Sequence, residues 1–325
     1  MDKALGLESI YYDMNWNKLQ EKKEKGEAIT YIFENENGKI EYPFIKRVAN
    51  SLNGVQYYDL VTARGQGGPR ILFAKNKEKL IEDFESDFQE YCEKENIIAE
   101  YIRFDPWIDN FSDFSNIYKV FSDGNIYCNN LTEDFFNNQY SSSVRNMVRK
   151  AEKNGVKVSF DFEGNTIKSF LELYEYTSKK YSISEYYNIN KDFIEEYFEK
   201  LNDKVFIANA YYDDKIISTA IMLIGKDIVH FHFSATDPEY RKLQPNTYLL
   251  YKTELYAQEI GKTLFDFGRA TKGSSLEKFK FDFINKKEEN IYKYNVGVKI
   301  RNQIVYNRFV ELRGGKHEGY FPEYR

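Results

Sequence analysis

Residues 228–283 read IVHFHFSATDPEYRKLQPNTYLLYKTELYAQEIGKTLFDFGRATKGSSLEKFKFDF, and this stretch decides the fold class. Polarity alternates over residues 228–235, which predicts a strand with Val229, Phe231, Phe233 and Ala235 on one face and His230, His232 and Ser234 on the other. After Pro245, apolar residues recur at helical spacing as far as Gly261, and residues 263–267 form a second strand. Such a crossover predicts parallel neighbouring strands, with a helix N-terminus that offers unpaired N–H groups to an anion.

The flanking sequence extends this unit in both directions. Upstream, the pattern predicts a strand at 156–162, helices at 166–181 and 191–201, and strands at 205–212 and 216–224. Downstream, it predicts a polar loop and short helix ending at Phe283, a strand at 291–298 and a helix at 301–312. The order is therefore one strand, two helices, three antiparallel strands, helix, strand, helix and strand.

The first half of the chain is also predicted to mix helices and strands. The predicted elements are a helix over 7–25, a hairpin of 28–34 and 39–47 around Asn37-Gly38, a strand at 55–61, a helix at 76–94, a strand at 97–104, a hairpin of 117–121 and 126–131, and a helix at 133–154. The helix and strand around EYCEKENIIAEYIRFDP echo those around YAQEIGKTLFDFG, which favours a duplicated domain. We therefore expect two domains, at residues 1–140 and 141–325.

Composition excludes several classes of protein. The chain has 325 residues, of which 42% are hydrophobic, so two packed cores can form and disorder is excluded. The formal net charge of -5 gives no general attraction to polyanions. Two cysteines, Cys92 and Cys128, form neither a disulfide framework nor a CxxC metal site. The N-terminal residues lack the pattern of a signal peptide, and no apolar run is long enough to span a membrane, so we expect a cytoplasmic protein.

Four stretches carry a resemblance to a known family. HFSATDPEYRKLQPN and FDFGRATKGSSLEKFKFDF resemble the second half of the Fem-type transferases and related acyltransferases with tandem GNAT-like domains, and DLVTARGQGGP and SSVRNMVRKAEKNGVKV resemble two stretches farther upstream in the same families. The resemblance implies an α/β fold of two GNAT-like domains in tandem, each a mixed sheet flanked by helices. It also implies a transferase that binds no permanent cofactor and takes acyl-CoA or aminoacyl-tRNA as its donor substrate.

The resemblance places a Phe-Lys pair at the transfer site, which corresponds to Phe279 and Lys280 here. From the residues alone, alternation would bury Phe279, Phe281 and Phe283 and leave Lys278, Lys280 and Asp282 facing away. A surface lysine is the plain reading of that pattern. A lysine held beside aromatic rings could instead stabilise the negative charge that develops on a carbonyl under attack, and we take Lys280 as a catalytic candidate.

Basic residues suggest where a phosphate-bearing donor binds. Arg145, Arg149 and Lys153 recur every four residues on a predicted helix and form either a phosphate-binding stripe or a solvated face. Arg241 and Arg269 are the alternative donor contacts. GNAT enzymes that use acyl-CoA carry a glycine-bearing loop where this chain has RKLQPN at 241–246. Without those glycines, fewer backbone N–H groups approach a pyrophosphate, and Fem-type members share this departure.

The remaining candidates concern the acceptor and proton transfer. A histidine on a polar strand face can take a proton from an amine, so His232 is a catalytic candidate and His230 a substrate-binding one, although both could be structural. No third ligand accompanies this HxH pair, so we predict no metal site. Asp105, at a predicted strand end, is the first candidate for a carboxylate that orients the acceptor amine, ahead of Asp237 and Asp266. In the loop after Val61, Arg64, Gly67 and Gly68 form either a ligand loop or a plain turn.

The sequence thus predicts an N-acyltransferase that forms an amide on a cell-envelope precursor or a nucleotide-linked amino sugar, with an acyl thioester as donor. One alternative is an aminoacyl-tRNA-dependent transferase that acts on a peptidoglycan precursor, for which tRNA would be a partner. The other is a silent module that binds a glycan or peptide. The sequence leaves the donor, the acceptor, the general base and the oligomeric state open.

Overall fold

The computed structural model describes residues 6–181, 189–285 and 287–325. The helices are α1 Met14–Glu24, α2 Lys77–Lys94, α3 Asn110–Phe114, α4 Phe135–Asn138, α5 Ser142–Lys153, α6 Ile167–Tyr181, α7 Lys191–Leu201, α8 Pro245–Glu259, α9 Ser275–Phe283 and α10 Gln303–Arg313. The strands are β1 Gly26–Asn35, β2 Gly38–Leu52, β3 Val55–Val61, β4 Arg70–Ala74, β5 Ile97–Arg103, β6 Lys119–Asn130, β7 Lys157–Asp161, β8 Val205–Tyr212, β9 Lys215–Ile224, β10 Ile228–Thr236, β11 Leu264–Ala270 and β12 Ile291–Ile300. No helix in these residues is long and apolar enough to cross a membrane.

The chain divides into two compact units. The first contains Tyr11–Asp123 and Lys293–Arg325, and the second contains Leu7–Ile10 and Gly124–Tyr292. These bounds differ from the division expected at residue 140, because the C-terminal segment belongs to the first unit. There β12 pairs antiparallel with β5, and Arg325 Nε donates to the buried carboxylate of Asp59 at 2.6 Å. Strand pairing and a buried ion pair between distant residues thus decide where the segment packs.

The first unit is a mixed sheet covered by α2. Its strand order is β1-β2-β3-β5-β12, with β4 paired to β2, and β3 runs parallel to β5. The predicted hairpin of β1 and β2 is present, and its pairing closes at Asn35 and Gly38. The spacing of Leu80, Phe84, Phe88 and Cys92 places one apolar face of α2 on the sheet, where all four are buried. β4 was not predicted.

The second unit has the predicted order of elements from β7 as far as α9, whereas the last predicted strand, β12, lies mainly in the first unit. Its strands lie in the order β6-β11-β10-β9-β8-β7, and β10 and β11 are parallel, as the crossover through α8 requires. α5 and α8 pack against one face of this sheet and fill a core with Val148, Leu249, Phe265 and Phe267. This mixed α/β architecture confirms the fold class expected from the sequence.

Three local predictions were wrong. The hairpin expected at 117–131 is the single strand β6, because Asn125 and Ile126 pair with Ala270 and Arg269 of β11 and extend the backbone where a turn was expected. The helix expected at 133–154 is divided into α4 and α5, because the Ser141 side chain caps a new helix by accepting from Val144 N. The uniform alternation expected along β10 is broken by an irregularity between Phe231 and Phe233 in its pairing with β9.

Candidate active site

The parallel strands β10 and β11 separate partway along their length. Their pairing runs from Ile228 and Leu264 to His230 and Asp266, and no pairing continues beyond this point in the described residues. β10 stays paired with β9 as far as Thr236, and β11 stays paired with β6 as far as Ala270. A gap therefore opens in the sheet, and the strand edges that face it carry backbone N–H and C=O groups that a bound ligand can use.

The bulge in β10 lies at the start of this gap. Phe231 packs into the core on the α8 side, whereas Phe233 packs against Tyr174 of α6, with ring centroids 5.7 Å apart. Because His232 is the extra residue, the two phenylalanines do not share the face that alternation predicted. The bulge therefore re-aims the side chains that follow it, including Ser234 and Thr236.

Lys280 lies on α9 with its amine at the gap. The helical spacing of α9 buries Glu277, Lys280 and Phe283 together, so the prediction that Lys280 faces away, based on a period of two, was wrong. Its side chain is only 4% exposed, and Nζ donates to the carbonyl oxygen of Arg269 at 2.7 Å. A Cβ added to Gly268 would lie 3.6 Å from Lys280 Nζ and 3.9 Å from the carbonyl oxygen of Phe231. The amine therefore lies between the diverging strands.

The environment of Lys280 disfavours a positive charge. Burial lowers the pKa of Lys280 from its ordinary value of 10.5 to about 7; attraction to Asp266 opposes this shift, and repulsion from Arg269 adds to it. Near neutral pH the side chain therefore exists in both charged and neutral forms. A lysine of this kind can donate to a developing oxyanion or accept a proton.

His230 and Asp266 form a buried pair next to Lys280. His230 Nδ1 lies 2.9 Å from Asp266 Oδ2, and each residue is 1% exposed. The other carboxylate oxygen, Oδ1, accepts from Gly268 N at 2.6 Å. The pair thus ties β10 to β11 where their pairing ends, and His230 does not form the cleft-facing polar surface that was predicted.

A cleft of about 520 Å³ lies among α5, α6, β10, α8 and α9. Its lining combines apolar and polar side chains: Met147, Thr177, Ser234, Ala235, Thr236, Arg241, Gln244, Pro245, Asn246, Thr247 and Phe279. α8 begins here, after Gln244 in the left-handed conformation with φ 60°, and has no side-chain cap. Because Pro245 has no N–H, the first helical amides of α8 belong to Asn246 and Thr247. The cleft can therefore receive a mixed ligand with an anionic end.

The structure brings together several of the predicted residues. Phe279 and the exposed Arg241 both line the cleft, and Arg269 supplies the carbonyl that holds Lys280 while its own side chain is exposed. His232 does not belong to the cleft lining in the described residues. Its Nε2 lies 3.3 Å from Tyr197 OH, and its ring contacts Phe233. Its role as a proton acceptor stays a prediction.

The predicted basic stripe lies on α5, which also contributes Met147 to the cleft. Arg145 is partly buried and donates to the carbonyl oxygens of Tyr140 and Asn137, so it stabilises the turn before the helix. Arg149 lies over the Phe136 ring at 5.6 Å and is exposed, as is Lys153. Arg149 and Lys153 are therefore the members of the stripe that remain accessible to a ligand.

The other predicted residues belong to the first unit and have structural contacts. Asp105 is fully buried, and its Oδ1 accepts from Trp107 N at 2.8 Å. Asn110 Nδ2 donates to the carbonyl oxygens of Gly67 and Pro69, and Trp16 Nε1 donates to that of Arg64. Gly68 has φ +87°, and a Cβ there would lie 2.6 Å from Ile102. These contacts fit a packed turn, and ligand binding by Asp105, Arg64, Gly67 and Gly68 stays a prediction.

Sequence reasoning missed the most connected residues of the site. It placed Asp266 behind Asp105 as a carboxylate for the acceptor amine and did not pair it with His230, since the two residues are 36 positions apart in the sequence. Gly268, directly after the FDF of β11, was a usable signal, because its φ of +77° is a conformation that glycine adopts readily. In the described residues, no cluster of three or more His, Cys, Asp or Glu side chains could hold a metal ion.

Comparisons with known proteins show what this chain is similar to. Residues 138–280, which contain the gap and the cleft, match the family model of an acetyltransferase (GNAT) domain. The residues that match this model lie within the second unit. No protein of curated function matches the sequence.

Solved structures extend the likeness to both units. FemX is 14% identical, with a TM-score of 0.68 over 90% of this chain and 92% of FemX. A C-terminal DUF2156 domain from Agrobacterium fabrum, assigned to a lysylphosphatidylglycerol synthetase, is 12% identical, with a TM-score of 0.58 over 93% of this chain and 90% of that one. L-PGS from Bacillus licheniformis is 13% identical, with a TM-score of 0.54 over 88% and 92%. The chain has the fold of Fem-type, GNAT-like transferases.

Proposed function

We propose that this protein transfers an acyl group from an activated carbonyl to an amine and forms an amide. The observation that carries the proposal is the buried amine of Lys280 at the gap between β10 and β11, inside a GNAT domain. A lysine has a high cost of burial, and such a group next to a ligand-sized cleft is typical of a functional site. The acceptor is an amine of a cell-envelope precursor or a nucleotide-linked amino sugar.

The proposed reaction uses the residues around the gap in turn. The acceptor nitrogen attacks the donor carbonyl, and the carbonyl oxygen becomes an oxyanion. Lys280, as an ammonium, donates to that oxygen together with backbone N–H groups of the open strand edge. The intermediate then collapses to the amide and releases the thiol or alcohol of the donor, which takes up the proton lost by the attacking nitrogen.

The donor we propose first is an acyl thioester. The cleft supports this choice, because an apolar and hydroxyl-lined channel from Met147 and Phe279 to Arg241 suits a long chain with an anionic end. The formal net charge of -5 also disfavours a donor that is a polyanion as large as tRNA.

Aminoacyl-tRNA is the second candidate donor, with a peptidoglycan precursor as acceptor. Pro245 at the start of α8 removes an N–H group that a pyrophosphate would otherwise meet, which weakens the case for CoA. The likeness of the fold to FemX and to a structure assigned to a lysylphosphatidylglycerol synthetase favours an aminoacyl donor as this alternative. Arg149 and Lys153 would then contact phosphates of the single-stranded acceptor end of the tRNA.

The test incubates the protein with labelled acyl-CoA esters or labelled aminoacyl-tRNAs and a panel of amino sugars and envelope precursors. The proposal predicts a new amide in at least one mixture, detected by mass spectrometry, and the productive donor decides between the two candidates. If ligands raise the melting temperature but no amide forms with any pair, the protein is a silent binding module instead.

A further inference from the structure

Three buried titratable side chains lie close to Gly268, where the sheet divides. Asp266 Oδ1 accepts from Gly268 N at 2.6 Å, and a Cβ added to Gly268 would lie 3.6 Å from Lys280 Nζ. His230 on β10, Asp266 on β11 and Lys280 on α9 are each 4% exposed or less. Asp266 therefore contacts a histidine and lies on the part of β11 that the lysine amine approaches, away from bulk water. Burying an isolated carboxylate is costly, so its two neighbours are the groups that make its charge tolerable.

We propose that Asp266, held in place by His230, is a positioning residue that keeps an ammonium on Lys280 at the gap. This inference rests on the proposed function, in which the Lys280 ammonium stabilises the oxyanion. Neither His230 nor Asp266 contacts the substrate in this account. They act through the charge and direction of Lys280.

The hydrogen bonds of Asp266 fix the direction of its charge. An ionised carboxylate only accepts, so His230 donates from Nδ1 to Oδ2, and Gly268 N donates to Oδ1. Both donors belong to strands that border the gap. The carboxylate is thus held while Lys280 Nζ, anchored on the carbonyl oxygen of Arg269, lies near Gly268 between the diverging strands.

Other charged groups around Lys280 do not replace Asp266. Arg269 repels the lysine and lowers its pKa, whereas Asp266 raises it. Glu277, one turn earlier on α9, accepts from Tyr127 OH and Gly273 N. Arg145, on the neighbouring α5, donates to the carbonyl oxygens of Tyr140 and Asn137. Asp266 is therefore the carboxylate that favours the charged form of Lys280.

The direct test follows the titration of Lys280 by NMR in protein labelled with ¹³C at the lysine ε-carbon. The signal is assigned by comparison with Lys280→Arg. We expect Asp266→Asn, which preserves the shape of the side chain, to lower the pKa of Lys280 by about one unit or more. Asp282→Asn, on the same helix as Lys280, is the matched control and should leave that pKa unchanged. An unchanged Lys280 titration in folded Asp266→Asn contradicts the proposal.

If thermal melting shows that Asp266→Asn does not fold, a second variant tests the proposal. His230→Gln keeps the carboxylate but removes the imidazole that directs it. We expect a smaller shift of the Lys280 pKa in the same direction, and an unchanged value contradicts the proposal equally.

Activity provides a separate readout. Once a productive donor and acceptor are known, the rate should fall as pH rises through the pKa of Lys280, because the ammonium is lost. In Asp266→Asn that loss should move to lower pH. If the rate of Asp266→Asn falls at the same pH as that of the wild type, the positioning role is contradicted. If no donor and acceptor react at all, the proposed function fails while the NMR titration still decides whether Asp266 controls the charge of Lys280.

Discussion

The burial of Lys280 at the gap between β10 and β11 reduces the stability of the fold. The unfolded chain holds its proton up to the ordinary pKa of 10.5, whereas burial lowers the pKa to about 7 in the folded protein. Between these values the unfolded state binds more protons, so stability rises with pH across that window and the cost is fully present below pH 7. Active sites commonly keep such costly groups because the chemistry needs them.

Replacing Lys280 with Met should therefore stabilise the protein. We expect the free energy of unfolding of Lys280→Met at pH 6 to exceed that of the wild type by about 1–3 kcal/mol, and the gain to shrink towards pH 10. Denaturant titrations at several pH values measure both effects. The exposed Lys278→Met on the same helix is the control and should show neither. A loss of stability at pH 6 would mean that Lys280 is a structural contact.

At this scale the sequence identified the important residue but not its environment. The resemblance selected Phe279 and Lys280, but alternation placed the lysine on the surface, because a short segment rich in Phe and Lys fits a period of two as well as a helix. The bond between His230 and Asp266 joins residues 36 positions apart, so no local pattern reveals it.

Helix α8 carries a second buried titratable group, which the proposed reaction does not use. Glu254 is fully buried, accepts from Tyr140 OH, and accepts from Asn129 Nδ2 at 2.7 Å. Burial raises its pKa from 4.5 to about 8, although both hydrogen bonds oppose the shift. The folded protein therefore holds a proton on Glu254 that the unfolded chain loses above pH 4.5. The resulting stability is present below pH 4.5 and is lost as pH rises through 8.

Glu254→Gln should remove this pH dependence. Relative to the variant, the wild type should lose at most about 1.4 kcal/mol of stability per pH unit between pH 5 and 7, below the window in which Lys280 titrates. The amide is tolerable because Asn129 Oδ1 has no hydrogen-bond partner in the described residues and can accept from it after an amide flip. Exposed Glu259→Gln on the same helix is the control. Parallel stability curves for the wild type and Glu254→Gln would show that Glu254 is already ionised.

Substitutions on helix α5 distinguish a tRNA donor from an acyl-CoA donor. Because Arg145 supports the preceding turn, the informative change is Arg149→Gln with Lys153→Gln, and Lys168→Gln with Lys191→Gln is the control pair. A tRNA donor should lose affinity in the first variant, and the slope of log affinity against log salt should fall by about 1.4, at roughly 0.7 per single-stranded phosphate. An acyl-CoA donor held elsewhere in the cleft should show no such change, which binding titrations at several salt concentrations measure.

Elements were predicted well where periodicity is long and local. α2, α7, α8 and β3 lie within two residues of their predicted bounds. An apolar stripe and a side-chain cap define α2 and α7, whereas α8 begins at Pro245 without a side-chain cap. β6 was mistaken for a hairpin because Ser122-Asp123-Gly124-Asn125 has turn composition, while its actual conformation depends on the partner strand β11. The bulge in β10 was not predicted for the same reason, because it depends on the pairing of β10 with β9.

At the scale of the whole molecule, the sequence predicted two domains and the order of elements from β7 to β12, while the duplication stays a prediction. It did not predict that residues from Lys293 onward join the first unit, because that outcome depends on the pairing of β12 with β5 and on the contact of Arg325 with Asp59. The cleft also depends on tertiary structure. Its lining comes from residues between Met147 and Phe279, separated by more than a hundred positions in the chain.

The most direct test of the account is the single-turnover rate of amide formation in the wild type, Lys280→Ala and Lys278→Ala, with the productive donor and acceptor. We predict that Lys278→Ala reacts at the wild-type rate and that Lys280→Ala reacts about 10²–10³-fold more slowly while remaining folded, as expected when one oxyanion donor is lost. Equal rates in all three proteins would contradict the claim that transfer takes place at Lys280.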